Sequence, residues 1–465
     1  MMSIEEKSVM QLEQVKIREQ DPKERNRNFN EVCLGYIEEE AIKEALRCIE
    51  CGQCMKGCPV QINIPGFIHL IKEKKHEEAY KMIKETNSLP GVCGRVCPQE
   101  TQCEILCPLG KKGQPVAIGK LERFVADHAI KTKVKENIKI KSNHIKIAVV
   151  GSGPAGLTCA GELAKKGYEV TIFESFHLSG GVLRYGIPEF RLPRKILDNE
   201  IDHIKHLGVK IINNVLIGKS LTLDDLKKDE FKAVFIAVGA GLPTFMNIPG
   251  ENLNGVVSAN EFLTRNNLML AFSEESHTPI RAVSPVIVVG GGNVAMDSAR
   301  SAKRLGAKEV IVVYRRTEKE MPARVEEVHH AMEEGIEFHF LTNPVEILGD
   351  DKGWIKEVKC IKMELGEPDE SGRRRPVPIK DSEFTIKTNT LIMSIGQKPN
   401  PLISQSLPEL ETTKWGTIVA NDDMMTSIEG VFAGGDIVTG AATVIAAMEM
   451  GRKAADGIEK WISKK

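Results

Sequence analysis

Two segments of this chain share one order of elements: apolar strand, glycine-rich turn, helix, second apolar strand. The first starts at Ile145, "IKIAVVGSGPAGLTCAGELAKKGYEVTIFE", and the second at Ser284, "SPVIVVGGGNVAMDSARSAKRLGAKEVIVVYRR". Each reads as a βαβ unit, and two such units commit most of the chain to an α/β fold with parallel sheets. In the first turn, Gly151 permits the tight bend and Gly153 lets the backbone approach a pyrophosphate. Gly156 lets helix and strand pack closely. Pro154 and Ala155 open the helix, whose N-terminus carries partial positive charge. The second strand ends in Glu174, followed by Ser175, and a carboxylate there accepts hydrogen bonds from a ribose.

The second turn, Gly290, Gly291, Gly292, Asn293, Val294 and Ala295, fits the GxGxxA variant. Its second strand ends in Arg315 and Arg316 instead of an acid. Arginine holds a 2′-phosphate bidentately, so this site is expected to prefer NADP(H) to NAD(H); a solvated strand end is the alternative. The "GRRR" of Arg373 to Arg375 reads as a solvated hairpin tip. A third glycine turn, "FAGGD", contains Gly435 and Asp436 and precedes a helix that takes in Ala442 and Thr443. With Gly239, at the end of the buried strand "FKAVFIAVGA", it is expected to close over FAD. The order FAD unit, NADP unit, return to the FAD unit resembles the glutathione-reductase-like fold. Disulfide reductases of that fold carry a cysteine pair after the first ribose-binding strand. Here that region reads "ESFHLSGGVLRYGIPEFRLP" and has none.

The cysteines lie elsewhere. The chain has 11, and all but Cys159 and Cys360 precede residue 108. Those two read as buried structural thiols. Cys48, Cys51, Cys54 and Cys58-Pro59 match the bacterial ferredoxin run C-x2-C-x2-C-x3-C-P. Cys93, Cys97, Cys103 and Cys107 follow, also ending in Cys-Pro. Zinc thiolate sites share such spacing, but the Cys-Pro endings and the flavin unit behind them favour iron–sulfur. Two [4Fe–4S] clusters are expected, as electron acceptors for the flavin. The expected domains are a helical iron–sulfur domain at 1–143, a discontinuous FAD domain at 144–283 and 395–465, and an NADP(H) domain at 284–394.

"RNRNFNEVCLGY", "GVCGRVCPQETQCEILC", "VAIGKLERF", "GGVLRYGIPEFRLP", "YRRTEKEMPA" and "GVFAGGD" occur in this order around the turns and cysteines above. Together they resemble the glutamate synthase small-subunit family. That family takes in the NADPH-binding large subunit of an electron-bifurcating ferredoxin:NADP+ oxidoreductase. The resemblance implies one cluster on Cys48, Cys51, Cys54 and Cys107. It implies a second on Cys58, Cys97, Cys103 and Glu122, with Cys93 the next candidate should Glu122 be a surface acid. It places Gly181, Val182, Leu183, Arg184, Tyr185 and Arg191 beside the flavin, where Arg184 and Arg191 would favour a reduced anionic ring. Many members have four residues between the second and third cysteines. Here there are two, "GQ", so the loop is shorter. Cys33, where relatives often have proline, reads as a bystander.

The resemblance also implies a second redox subunit. The favoured expectation is a flavoprotein exchanging electrons with NAD(H), which makes the complex bifurcating and ferredoxin-linked; the alternative is a glutamate synthase large subunit. A redox-sensing or structural relay without turnover leaves a complete NADP site unexplained. Net charge is −1, which gives no support to a nucleic-acid or anionic-membrane partner. No apolar run reaches the length of a membrane span. The first residues, "MMSIEEKSVMQLEQ", lack a signal peptide's apolar core, so a cytoplasmic location is expected.

Overall fold

The computed structural model describes residues 12–134, 140–370 and 372–464. The first eleven residues, on which the signal-peptide reading rests, lie outside the described residues, as does position 371 in the polar hairpin.

The N-terminal region is helical, as its periodicity predicts. Its main helices are Glu38–Ala45, Ile64–Lys72, His76–Lys84, Pro90–Val96 and Ile118–Thr132. Asn63 caps the second, its side-chain oxygen accepting from the Gly66 N–H at 3.1 Å. Helices Pro90–Val96 and Ile118–Thr132 cross at glycines. A Cβ on Gly94 would sit 2.6 Å from the Arg123 nitrogen, and one on Gly119 2.2 Å from Gln99 Nε2. That close approach brings Glu122 against the cysteine-bearing helix. One short antiparallel ribbon, Arg18–Glu19 against Cys33–Gly35, is present where no strand was expected. Two- and three-residue strands carry no periodic signal.

The first βαβ unit builds a five-stranded parallel sheet. Its order is Val431–Ala433, Ala233–Ile236, Lys146–Val150, Glu169–Phe173, Lys210–Ile212. The return strand Val431–Ala433 therefore lies on the first unit's sheet, as the "FAGGD" reading requires. Its core is continuous with the helical domain: Val92, Cys93, Leu197, Phe235 and Met448 belong to one cluster of buried apolar residues.

The second unit has its own core and its own five-stranded parallel sheet. Here the expected boundary at 283/284 is corrected. Strand Val256–Ser258 pairs with Leu391–Met393 in the second sheet, and helix Ala259–Asn267 packs with it. The second unit instead begins after a two-residue ribbon in which Leu242–Pro243 pairs with Gln397–Lys398. An antiparallel meander, Thr342–Gly349, Ile355–Pro368 and Arg374–Lys387, is an excursion from this unit.

A buried ionic network clamps the second unit to the rest. Glu334 accepts from Arg25 at 3.1 Å, Arg300 at 2.8 Å and Arg304 at 2.6 Å. Glu327 accepts from Arg300 and forms an ion pair at 3.0 Å with Arg191, which also pairs with Asp297 at 2.7 Å. The guanidiniums of Arg300 and Arg304 lie over the Phe190 ring. Burial opposes charge on Glu334, but its arginines dominate and lower its pKa to about 2. Replacing Glu334 with Ala leaves three guanidiniums short of a partner and is expected to cost about 3–5 kcal/mol in urea unfolding. Because the folded pKa is depressed, this stabilisation is complete above the ordinary carboxylate range. It is lost as pH falls toward 2. The wild-type advantage over Glu334→Gln should therefore shrink below about pH 4.5.

Candidate functional site

A cavity of 420 Å³ lies where the two units face each other. On the first unit's side its floor is the glycine turn. Gly151 has φ +101°, and a Cβ there would meet the Ala237 carbonyl oxygen at 2.6 Å. A Cβ on Gly156 would sit 2.0 Å from the Gly151 oxygen, the close helix–strand contact the fingerprint predicts. Gly153 caps helix Pro154–Lys165, and a Cβ there would point into space with nothing within 4 Å. That open cradle beside a helix N-terminus fits a pyrophosphate. Glu174 is buried, and its carboxylate accepts from the Ser152 and Phe176 N–H groups, both at 2.9 Å. Asp436 accepts from the Ala442 N–H at 3.2 Å, and burial raises its pKa to about 6.

Most residues expected around FAD line this cavity: Gly151, Gly153, Pro154, Ala155, Glu174, Ser175, Gly181, Val182, Tyr185, Gly239, Gly435, Asp436, Ala442 and Thr443. Gly156, Leu183 and Arg184 do not; Gly156 acts through packing, and Leu183 is core. The charge assigned to the arginines is corrected. Arg184 turns to Asp198 and the Ser179 carbonyl. Arg191 reaches the cavity, but Asp297 and Glu327 neutralise it. Neither offers a free cation to a flavin.

The second turn closes on the same cavity. Asn293, Val294 and Asp297, from helix Asn293–Arg304, line it. Gly290 has φ +139°, with its Cβ position 2.3 Å from the Ser394 oxygen. Gly291 packs on the Tyr314 ring, and Gly292 caps the helix. Ala295 is buried behind them. The two arginines at the strand end separate. Arg316 is buried and donates to Asp369 at 2.6 Å and to the Arg374 carbonyl at 2.7 Å, fastening the meander. Arg315 is accessible, its pKa lowered by partial burial and then by the like charges of Arg316 and Arg373. Of the hairpin arginines, Arg374 and Arg375 are exposed, in keeping with a solvated tip, and half-buried Arg373 is close enough to Arg315 for its charge to be felt there.

The cysteines form two groups. Cys48, Cys51, Cys54 and Cys107 line one small apolar cavity with Pro65, Ile68 and Val116. The Glu50 and Val116 N–H groups point at the Cys48 and Cys107 sulfurs, at 3.4 and 3.5 Å. Cys58, Cys97, Cys103 and Glu122 are electrostatic neighbours: burial raises the Cys103 thiol, and Glu122, Cys97 and Cys58 add to it. Burial also lifts Cys58 to about 11 and Glu122 to about 8, so Glu122 is no surface acid. Asn87 donates to Glu122 at 2.6 Å. Cys93 is buried beside Cys97 and bonds Asn87 and Met448. Thiols and a carboxylate gathered in a dry site suit a cluster whose positive charge stabilises thiolate. Cys159 and Cys360 are buried, as expected. Val96 and Pro98, on either side of Cys97, line the dinucleotide cavity. Asn87 and these two residues had no sequence signal.

Residues 25–134 match the model of dihydropyrimidine dehydrogenase domain II, 4Fe-4S cluster, and 145–451 that of pyridine nucleotide-disulphide oxidoreductase. The small chain of NADPH glutamate synthase from Azospirillum brasilense is 36% identical, over 95% of this chain and 93% of that one. The chain belongs to the glutamate synthase small-subunit family. It is therefore an NADPH-dependent FAD and iron–sulfur oxidoreductase. Another relative is the beta subunit of NADP(+)-dependent formate dehydrogenase from Moorella thermoacetica, 42% identical over 88% of this chain. The chain spans 60% of that subunit's length. In fold it is similar to FprA from Mycobacterium tuberculosis, solved in complex with NADPH. The TM-score is 0.59 at 19% identity, covering 69% of this chain and 85% of that one. No helix among the described residues is long and apolar enough to cross a membrane. Gly153→Ala should leave unfolding unchanged but lower flavin retained through desalting at least tenfold. Gly156→Ala should lower both, since its Cβ meets backbone.

Proposed function

We propose that the chain is an electron-transfer subunit linking NADP(H), through FAD and two [4Fe–4S] clusters, to a partner redox subunit. The observation carrying this reading is the shared cavity: the Gly151 turn, Asn293 and Val294 of the second turn, and both neighbours of Cys97 line it. When bound, FAD exchanges hydride with nicotinamide and single electrons with iron–sulfur clusters. The residues of the chain supply binding and position. The helix N-termini at Gly153 and Gly292 receive the two pyrophosphates. Arg315 with Arg373 holds the 2′-phosphate, while Arg316 keeps the hairpin in place. Glu122, with Cys58, Cys97 and Cys103, holds the cluster nearer the cavity, and Asn87 orients its carboxylate. Cys48, Cys51, Cys54 and Cys107 hold the outer one.

The outer group supports an exit for electrons at the surface. Cys51 is exposed, as are Leu46 and Ile49 close to it in sequence and Ile105 and Leu106 just before Cys107. Apolar side chains at a surface suit a protein partner. A glutamate synthase-type large subunit is favoured by the similarity to a small chain over nearly its full length. A partner flavoprotein handling NAD(H) would instead make the assembly bifurcating. Affinity purification separates the two: a very large partner supports the first, a second NAD(H)-dependent flavoprotein the second.

Anaerobic NADPH should bleach the flavin band near ~450 nm in the isolated chain; an unbleached spectrum would sink the hydride-transfer role. Arg315→Ala and Arg373→Ala should each raise KM for NADPH about 10- to 100-fold and leave NADH nearly unchanged, as for a lost charge-assisted bond. Glu122→Ala should lose about half the iron, with the outer cluster retained.

A further inference from the structure

Cys33 belongs to neither cysteine group, yet it does not stand alone. The short ribbon sets Glu19 opposite Cys33 in register. Helix Val325–Glu333 of the second unit carries Glu326 and His330 one turn apart, on one face. The ligand atoms of these four side chains all lie within 4.8 Å of one another. His330 Nε2 is 3.2 Å from Glu19 Oε2, and Cys33 Sγ is 4.0 Å from Glu19 Oε1. Tetrahedral zinc with bonds of about 2.0–2.3 Å separates its ligand atoms by about 3.3–3.8 Å, so the four atoms lie within about 1 Å of the spacing a shared ion would impose. His330 is buried, and its Nδ1 has no hydrogen-bond partner. The group opens on a 690 Å³ cavity between the iron–sulfur domain and the second unit, which gives an ion a way in.

We propose that Glu19, Cys33, Glu326 and His330 form a mononuclear zinc-type site that fastens the N-terminal ribbon to the second unit. One thiolate, one imidazole and two carboxylates make a closed four-coordinate set of structural kind. Mixed sulfur, nitrogen and oxygen donors suit a borderline ion such as Zn²⁺ and not Mg²⁺ or Ca²⁺, which take oxygen alone. Three negative ligands around a divalent ion leave one excess negative charge. Cations surround the group to offset it: Arg25 on Glu19 at 3.3 Å, Arg324 on Glu326 at 3.1 Å, and Arg123 on the Cys33 carbonyl at 2.7 Å. These arginines reach the outer faces of the carboxylates and the backbone. The thiol keeps a single long contact, to Glu19. Binding releases the thiol proton to solvent, and no redox change is involved.

The test is metal content of the full-length holoprotein, purified without chelator, exposed to micromolar zinc sulfate and desalted. About one zinc per chain beyond the iron is expected, as for a single four-ligand site. Its zinc K-edge absorption should need one sulfur at about 2.3 Å and light atoms at about 2.0–2.2 Å. Cys33→Ser and His330→Ala should each lower zinc at least tenfold with iron and FAD content unchanged. Should either variant lose iron or FAD, Glu326→Gln, on the partly exposed ligand, supplies the same comparison. A wild-type chain holding less than about a tenth of a zinc overturns the proposal. So does zinc retained in the Cys33→Ser/His330→Ala double variant, or an absorption edge fitted without sulfur.

Discussion

Glu334 is the point at which three parts of the chain are tied together. Arg25 comes from the N-terminal region, and Arg300 and Arg304 from the second unit's glycine-turn helix. Through Glu327 the same network reaches Arg191, on the segment between the first sheet and its crossover helix. Guanidiniums desolvated this far are tolerated only because each finds carboxylates and further bonds. Apolar packing alone would hold these bodies together without fixing their angle, whereas paired planar charges impose geometry. The angle matters because the cavity is made by apposition. Asn293 and Val294 reach it from one unit, and the Gly151 turn and the Cys97 loop from the other side.

The first unit and the helical region behave as one body in a different way. Their buried apolar residues form a single cluster, and Gly91 of the helical region lets Ile196 and Glu200 of the first unit pack against it, a Cβ there sitting 2.9 Å from Glu200 Oε1. A rigid union here holds Cys97 beside the cavity whatever the second unit does. This division of labour, with apolar fusion on one side and an ionic clamp on the other, follows from what each contact must do. Electron passage falls steeply with separation and needs a fixed spacing, whereas coenzyme must enter and leave.

The sequence made legible whatever is written locally. Strand–turn–helix runs at Ile145 and Ser284 marked both units, and the order of glycine turns gave their nesting. The grouping of Cys48, Cys51 and Cys54 with distant Cys107 came from family resemblance, not spacing, and those four side chains do share a cavity. What stayed hidden depends on tertiary contact. Strand Val256–Ser258 is three residues long, so its place in the second sheet could not be read, and the domain boundary came out late. The roles of Arg315 and Arg316 looked alike because they are sequence neighbours, but both lie in a bend just past strand Val310–Val313 that leaves Arg315 exposed and buries Arg316. Arg184 and Arg191 carried the right charge, and only their partners reveal that it is already met.

The ribbon of Leu242–Pro243 and Gln397–Lys398 means that the chain enters and leaves the second unit side by side. A body joined through adjacent crossings has one natural axis, like a door hung along one edge. Turning about that ribbon would carry Asn293 and Val294 away from the cavity while the Gly151 turn and Cys97 stayed in register with each other. Any such turn would have to break the ion pairs at Glu334. Charge at a distant carboxylate and apolar packing thus answer to different parts of the cavity, the first to its Asn293 side and the second to the Gly151 turn and Cys97.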